Sequence, residues 1–320
     1  MKALTSALQT AGKRLQLSDA LVATACAQSW TWEAITPDTV KGSFEYFNSL
    51  SLVINEGQRV AAYERSQGGE ARTYAILERQ LSSTYQQLSQ AFRSRLAHAQ
   101  DPLGVLTMLH RHPELRATSA CVSALLGLRD EREGGDEDRH SVTERASFYA
   151  RGGYMYQASD LYELWPIYSA LQFKEGVTFY DLGSGYGHAL FCGAVVRRDV
   201  TFKGIELMPI RVAECNNAKD RLKLANISFR EGDVATGGFS DADVIFLFNP
   251  FPPDTQVEVV DVLQQLVLSK PLVIIDYGGF VTQRLTNVVP IVGADLAPYR
   301  LVASKKFLQA SCDLVGMPVP

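Results

Sequence analysis

Residues 179–188 read Phe-Tyr-Asp-Leu-Gly-Ser-Gly-Tyr-Gly-His, and the fold follows from this stretch. An apolar run from Val177 to Leu182 leads into it, and residues 188–197 carry a helical pattern after it. A strand that ends in closely spaced glycines and turns at once into a helix is the opening unit of an open α/β sheet. In such sheets ligands bind at the carboxyl ends of the strands. Gly183, Gly185 and Gly187 let the backbone approach a ligand, and the following helix presents amide donors and a positive dipole end. Asp181 lies two residues ahead of the first glycine, and Ser184 and His188 lie within and just after the loop. All are candidate ligand contacts.

Downstream of this unit, strand-like and helix-like segments alternate. Strands are predicted at Thr201 to Glu206, Asn226 to Glu231, Asp243 to Phe248 and Leu272 to Asp276. The run DVIFLF at 243–248 is continuously apolar, as a strand covered on both faces should be. One helix starts at Pro209, proline being favoured in a first turn. Another starts near Asp254 and runs to about Ser269, with Val257, Val260, Leu263, Leu266 and Val267 expected inward. Alternation of this kind implies a Rossmann-like, doubly wound, mostly parallel sheet. The tail, with strands expected near 288–292, 299–304 and 306–311, reads as antiparallel additions.

The first 130 residues read differently. Leu77, Leu81, Tyr85, Leu88, Phe92 and Leu96 recur every three or four residues over 72–98, the period of an amphipathic helix. Shorter helices are expected near 3–12, 18–29, 58–66, 103–110 and 113–128. The charged run 130–140, with Gly134-Gly135, reads as a linker, so the sequence divides into an all-α N-terminal domain, 1–140, and an α/β domain, 141–320.

Two further acids stand at predicted strand ends. Glu206, in KGIEL with Leu207 beside it, lies where a carboxylate can accept both ribose hydroxyls of an adenosine cofactor. Asp233, in REGDV, could accept an adenine amino group while Val234 covers the ring. The glycines fall as G-x-G-x-G, not the G-x-G-x-x-G of dinucleotide enzymes. An acid at position 181 would repel a pyrophosphate but attract a sulfonium and an ammonium.

This pattern, over about 150–310, resembles the class I, seven-strand S-adenosylmethionine-dependent methyltransferases. The resemblance implies that the cofactor is S-adenosyl-L-methionine. It puts Asp181 and the Gly183–Gly187 loop against the methionine part, Glu206 on the ribose and Asp233 at adenine.

The fourth predicted strand ends in FNPFPPD, Asn249 to Asp254. Asn249 offers a side-chain carbonyl and Pro250 a backbone carbonyl, two acceptors that can orient an amine. Phe251 gives an aromatic wall for a cationic centre. The run is similar to the Asn-Pro-Pro-aromatic motif of amino-group methyltransferases, with the second proline and the aromatic exchanged. Upstream, Tyr154 and Tyr156 in the aromatic-rich 151–168 segment could close over the cofactor, while Trp165 and Tyr168 read better as core. The layout as a whole looks like the non-SET protein lysine methyltransferases. The expected activity is in-line methyl transfer to a substrate nitrogen, a protein lysine above all. A small-molecule or RNA methyltransferase and a catalytically silent cofactor-binding scaffold are the alternatives.

Bulk properties narrow the partners. With 46% hydrophobic and 21% charged residues, the 320-residue chain has the make-up of an ordinary globular protein. A net charge of -4 offers no broad field for phosphate backbones, so nucleic acid is not the expected partner. Five cysteines without a C-x-x-C pair, and five histidines without an H-E-x-x-H, suggest reduced thiols, a cytoplasmic setting and no metal site. Lys13-Arg14 before Leu15 to Ala27 reads as a short amphipathic helix, not a signal peptide, because Asp19 interrupts the apolar run. No run reaches the ~18 apolar residues of a membrane span. The helical half could dock a protein substrate, or pair two copies through the 72–98 helix.

Overall fold

The computed structural model describes residues 2–27, 30–68, 71–128, 158–170, 175–248, 251, 253–291 and 298–309. Its contacts group the chain into two units, Met1–Leu115 and Arg116–Pro320. The charged stretch 130–140, where the sequence places the domain boundary, lies outside the described residues.

The first unit is helical: α1 (Lys2–Arg14), α2 (Asp19–Ala27), α3 (Val40–Ser66), α4 (Ala71–Ala97) and α5 (Pro102–Arg111). In α4 the expected stripe is buried at Leu77, Leu81, Leu88, Phe92 and Leu96. Its partner α3 is much longer than the 58–66 helix expected. Residues 41–49 are rich in aromatic, Ser, Asn and Gly residues of modest helix propensity. Yet Val40, Phe44, Leu50, Ile54 and Ala61 recur at helical spacing and are buried, so packing settles the matter. Phe92 lies over Phe47, their rings stacked at 4.3 Å, and meets Phe44 edge-on at 4.9 Å.

The helix expected over 113–128 is broken in two. Pro113–Leu115 is a single 3-10 turn, Arg116 takes a left-handed φ of 51°, and Thr118 is extended before α6 (Ser119–Leu126). Asp101 caps α5 through its carboxylate, which accepts the Gly104 N–H at 2.9 Å.

The second unit is a seven-stranded sheet in the order β3-β2-β1-β4-β5-β7-β6. The strands are β1 (Thr178–Leu182), β2 (Thr201–Glu206), β3 (Ile227–Glu231), β4 (Val244–Leu247), β5 (Val273–Tyr277), β6 (Val288–Pro290) and β7 (Tyr299–Ser304). The first five pair in parallel, and β7 enters antiparallel between β5 and β6. This is the expected fold class. The strand order reverses between β1 and β4, the switch point at which such sheets bind ligands.

The helices are α7 (Leu161–Ala170), α8 (His188–Val196), α9 (Pro209–Leu222), α10 (Pro253–Ser269) and α11 (Lys305–Gln309). Strand register fixes two faces. Phe179, Phe202 and Phe246 are neighbours across one face, and Tyr168 of α7 lies against Phe179 and Phe202. The other face carries Leu182, Ile205, Ile245, Leu247 and Ile274, packed with Val259, Leu263 and Val267 of α10.

Two expectations are corrected. Val257 faces solvent at 57% exposure, and Val259 takes the inward place, because α10 is rotated relative to the expected stripe. Residues 305–309 form a helix where a strand was expected near 306–311. The Ser304 hydroxyl accepts the Phe307 N–H at 3.2 Å, which caps a new helical turn, and Phe307 anchors it as a buried residue.

Candidate functional site

The glycine loop after β1 is held in place by its neighbour strand. The Gly183 and Ser184 N–H groups both donate to the Ile205 carbonyl, at 2.9 and 3.0 Å. Gly183, Gly185 and Gly187 all have positive φ, at 79°, 54° and 71°. At Gly187 a Cβ would also come within 2.4 Å of the Phe229 ring, so glycine is required there by both backbone and space. Gly204 of β2 is bare for a related reason. A Cβ there would meet Ser184 Oγ and the Phe229 ring, both at 2.7 Å.

Glu206 is the hub of this corner. One carboxylate oxygen accepts the Gly185 N–H at 2.8 Å. The other accepts the Met208 N–H at 3.0 Å and lies 3.4 Å from Arg211 Nη1. The Glu206–Arg211 pair is buried, each side chain 6% exposed. An ionised carboxylate has about four acceptor positions, so three bonds leave room for roughly one more. Glu206 thus stitches the loop to β2 as well as standing where the sequence put a ribose acceptor. Arg211, which the sequence reading did not single out, balances its charge and lies over the Tyr186 ring at 5.9 Å.

Asp181 is buried at the end of β1 and shares a sheet row with Gly204 and Phe246. Burial, and secondarily the Glu206 charge, push its carboxyl up to about 8. No hydrogen bond contributes to that balance. A cation beside it would supply what the protein does not.

Asp233 uses one oxygen to accept the Ala235 N–H at 2.9 Å, capping a 3-10 turn over 234–236. Val234 is buried in the α10-side cluster, while Leu207 is half-buried at the end of β2. His188 is buried at the start of α8, and its Nε2 lies 2.7 Å from Ser123 Oγ of α6. That bond ties helix 119–126 to the glycine-loop helix.

Phe251 is buried in the α10-side cluster, and its carbonyl accepts the Gln256 side-chain N–H at 3.1 Å. Asn249, Pro250, Tyr154 and Tyr156 lie outside the described residues.

The sequence reading passed over an aromatic row at the same edge. Phe248 follows β4, Tyr277 ends β5, and Tyr299, its register partner, opens β7. Phe248 and Tyr277 ring centres are 4.6 Å apart, Tyr277 and Tyr299 5.4 Å, and Phe248 and Tyr299 6.3 Å. Stacking of Phe246 on Phe248, and of Tyr299 against Phe246, places this row on the face that carries Asp181. The signal was the aromatic at each strand end, FN, DY and PY, visible only once the strands are ordered.

Trp165 and Tyr168 behave differently from one another. Tyr168 donates its hydroxyl to the Ala189 carbonyl and is core, whereas Trp165 is half-buried. Asp276, buried at the end of β5, accepts the Val281 and Thr282 N–H groups, both at 2.8 Å, and so shapes the turn behind the row. Burial raises its carboxyl above the usual range.

No protein-family model matches the chain, and no curated protein matches it. Among solved structures, a precorrin-6y C5,15-methyltransferase from Geobacter metallireducens is similar at 14% identity and a TM-score of 0.34, over 46% of this chain and 90% of that one. A SAM-dependent methyltransferase from Thiobacillus denitrificans, in complex with S-adenosyl-L-homocysteine, is similar at 24% identity and a TM-score of 0.30. The match covers 36% of this chain and 46% of that one, so the chain spans about half of that relative's length. One from Aquifex aeolicus shares 18% identity at a TM-score of 0.32, over 43% of this chain and 85% of that one. Scores this low assign no function, which has to come from the site itself.

Proposed function

We propose that this chain is an S-adenosylmethionine-dependent methyltransferase acting on a substrate nitrogen, with a protein lysine as the favoured acceptor. One observation carries the reading. Two buried acids, Asp181 and Glu206, flank a glycine loop at the carboxyl edge of the sheet, and among the described residues no hydrogen bond offsets the burial of Asp181. Such a corner suits a nucleoside that carries positive charge, which would draw Asp181 into its ionised form. The residues present fit the cofactor. Asp181 can hold its cationic amino-acid part, the remaining Glu206 acceptor position a ribose hydroxyl, and the free Asp233 oxygen the adenine amino group.

When bound, this cofactor supplies an electrophilic methyl on a sulfonium. The protein's share is to place the acceptor in line, a contribution of several kcal/mol and up to about 7–11 in ideal cases. An acceptor that arrives as an ammonium would first have to give up a proton to water, so that its nitrogen lone pair could face that methyl. Asn249 and Pro250 keep the acceptor-orienting role their sequence suggests. Small-molecule and RNA acceptors are the other outcomes of the test.

That test is transfer of radiolabelled methyl from S-adenosylmethionine into a fractionated lysate. Label in the protein fraction, lost in Asn249→Ala while cofactor binding persists, supports the reading. Label confined to RNA or small molecules rejects the lysine acceptor. Cofactor binding without transfer to any fraction marks a silent scaffold.

A further inference from the structure

We propose that Phe248, Tyr277 and Tyr299 form the acceptor pocket, that it takes an alkylamine cation, and that Tyr299 Oη is its polar contact. This rests on the methyltransferase reading above and names the acceptor side of that site. The three rings stand at adjacent strand ends, β4, β5 and β7, on the same sheet face as Asp181. Phe248 and Tyr277 are half-buried, so the row is partly open at the edge, whereas Tyr299 is only 8% exposed.

A tyrosine hydroxyl that is buried normally finds a partner. Among the described residues Tyr299 Oη has no partner at full hydrogen-bond geometry, only a weak interaction with the Ser159 side chain. Around it the chemistry favours a cation. Ring faces are electron-rich and attract an ammonium most strongly where water is excluded. The Glu163 carboxylate, on the first turn of α7, lies near enough to add negative potential at Tyr299. An alkyl chain lies well on flat rings, while its nitrogen can meet the hydroxyl. Phe251, the aromatic wall expected from sequence, packs with the opposite face and cannot serve that site.

The experiment uses the full chain and n-butylammonium as probe, with 1-butanol as its neutral counterpart. Protein-observed NMR follows the tyrosine ring signals with and without S-adenosylhomocysteine. Butylammonium is expected to bind at least about tenfold more tightly than butanol. Tyr299→Phe and Tyr277→Leu should each weaken the probe by about tenfold, with S-adenosylhomocysteine affinity unchanged. Tyr299→Phe should at the same time keep or raise the melting temperature, because it deletes a buried unpaired hydroxyl. A purely structural row gives the opposite pattern: altered melting temperatures, probe affinity as in the wild type, and butanol equal to butylammonium. That result overturns the pocket.

Labelled methyl offered to polylysine and, separately, to cadaverine then distinguishes a protein side chain from a small amine. Label in neither, with S-adenosylhomocysteine bound normally, removes the amine assignment and leaves the cofactor site standing. Butylammonium bound without any S-adenosylhomocysteine binding removes the cofactor instead.

Discussion

Replacing Asp181 with asparagine should make the protein more stable at pH 8 while abolishing the pH dependence of its cofactor affinity. In the folded chain the Asp181 carboxyl is raised from 3.8 to about 8, chiefly by burial. Well below pH 3.8 it is protonated in both folded and unfolded chains, so burial carries no ionisation penalty. As pH rises, the unfolded chain ionises and the folded chain does not. Stability therefore falls by about 1.4 kcal/mol per pH unit until the folded group ionises near 8. At pH 7 the loss amounts to roughly 4 kcal/mol. Asparagine has the same shape and no charge, so the variant escapes the loss. A bound sulfonium and ammonium favour the ionised form, and cofactor binding should release up to one proton. Affinity should then rise with pH between about 5.5 and 7.5, by at most about tenfold per unit. Urea unfolding at pH 5 and 8, with calorimetry in buffers of different ionisation enthalpy, reads both effects. Wild-type and Asp181→Asn unfolding curves that differ equally at the two pH values, or an affinity flat in pH, would refute the reasoning.

Other perturbations follow from the same geometry. Glu206→Ala should cost on the order of 3 kcal/mol in chemical denaturation, because the buried Gly185 and Met208 N–H groups lose their acceptor and Arg211 loses a buried carboxylate partner. Glu206→Ala, Arg211→Ala as a pair should cost less than Glu206→Ala alone, and a greater loss for the pair would contradict this. Gly187→Ala must adopt φ 71° and press on Phe229, so calorimetry should show weakened cofactor binding and the melting temperature should drop. Ser123→Ala removes a buried partner of His188 and should cost about 1–3 kcal/mol of stability, leaving cofactor affinity unchanged. Val257→Lys should shift stability by no more than about 0.5 kcal/mol, since that side chain faces solvent.

The parts of the fold legible in the sequence are those where one local rule governs. The β1–glycine–α8 unit reads correctly because a continuous apolar strand, three glycines and a helix start all agree. The α4 stripe does so because its period is unbroken over about five turns, from Leu77 to Leu96. The start of α3 is obscured because Phe44, Phe47 and Asn48 are weak helix formers, recruited by tertiary contacts: the two rings pack on Phe92 and Asn48 donates to the Leu115 carbonyl. The 305–309 helix is misread although Lys305, Lys306, Leu308 and Gln309 are good helix formers, because it follows a strand without a break and the capping role of Ser304 depends on where β7 ends.

At the site, the place of the acids at strand ends is legible because each follows an apolar strand run; their ligand roles belong to the proposal. Arg211 was not, since nothing local links it to Glu206, five residues earlier, until α9 turns back over β2. Phe248, Tyr277 and Tyr299 lie far apart in the chain and become neighbours only through the β4-β5-β7 order. Which sheet face Phe248 and Phe251 join is hidden in the sequence, because a turn separates them.

Titration calorimetry of the purified chain with S-adenosylhomocysteine, run beside a nicotinamide dinucleotide, bears most directly on the acidic, glycine-lined corner. One site per chain for the former, weakened in Gly187→Ala, and no heat from the latter is the expected result. Uptake of the dinucleotide with no response to S-adenosylhomocysteine would contradict it.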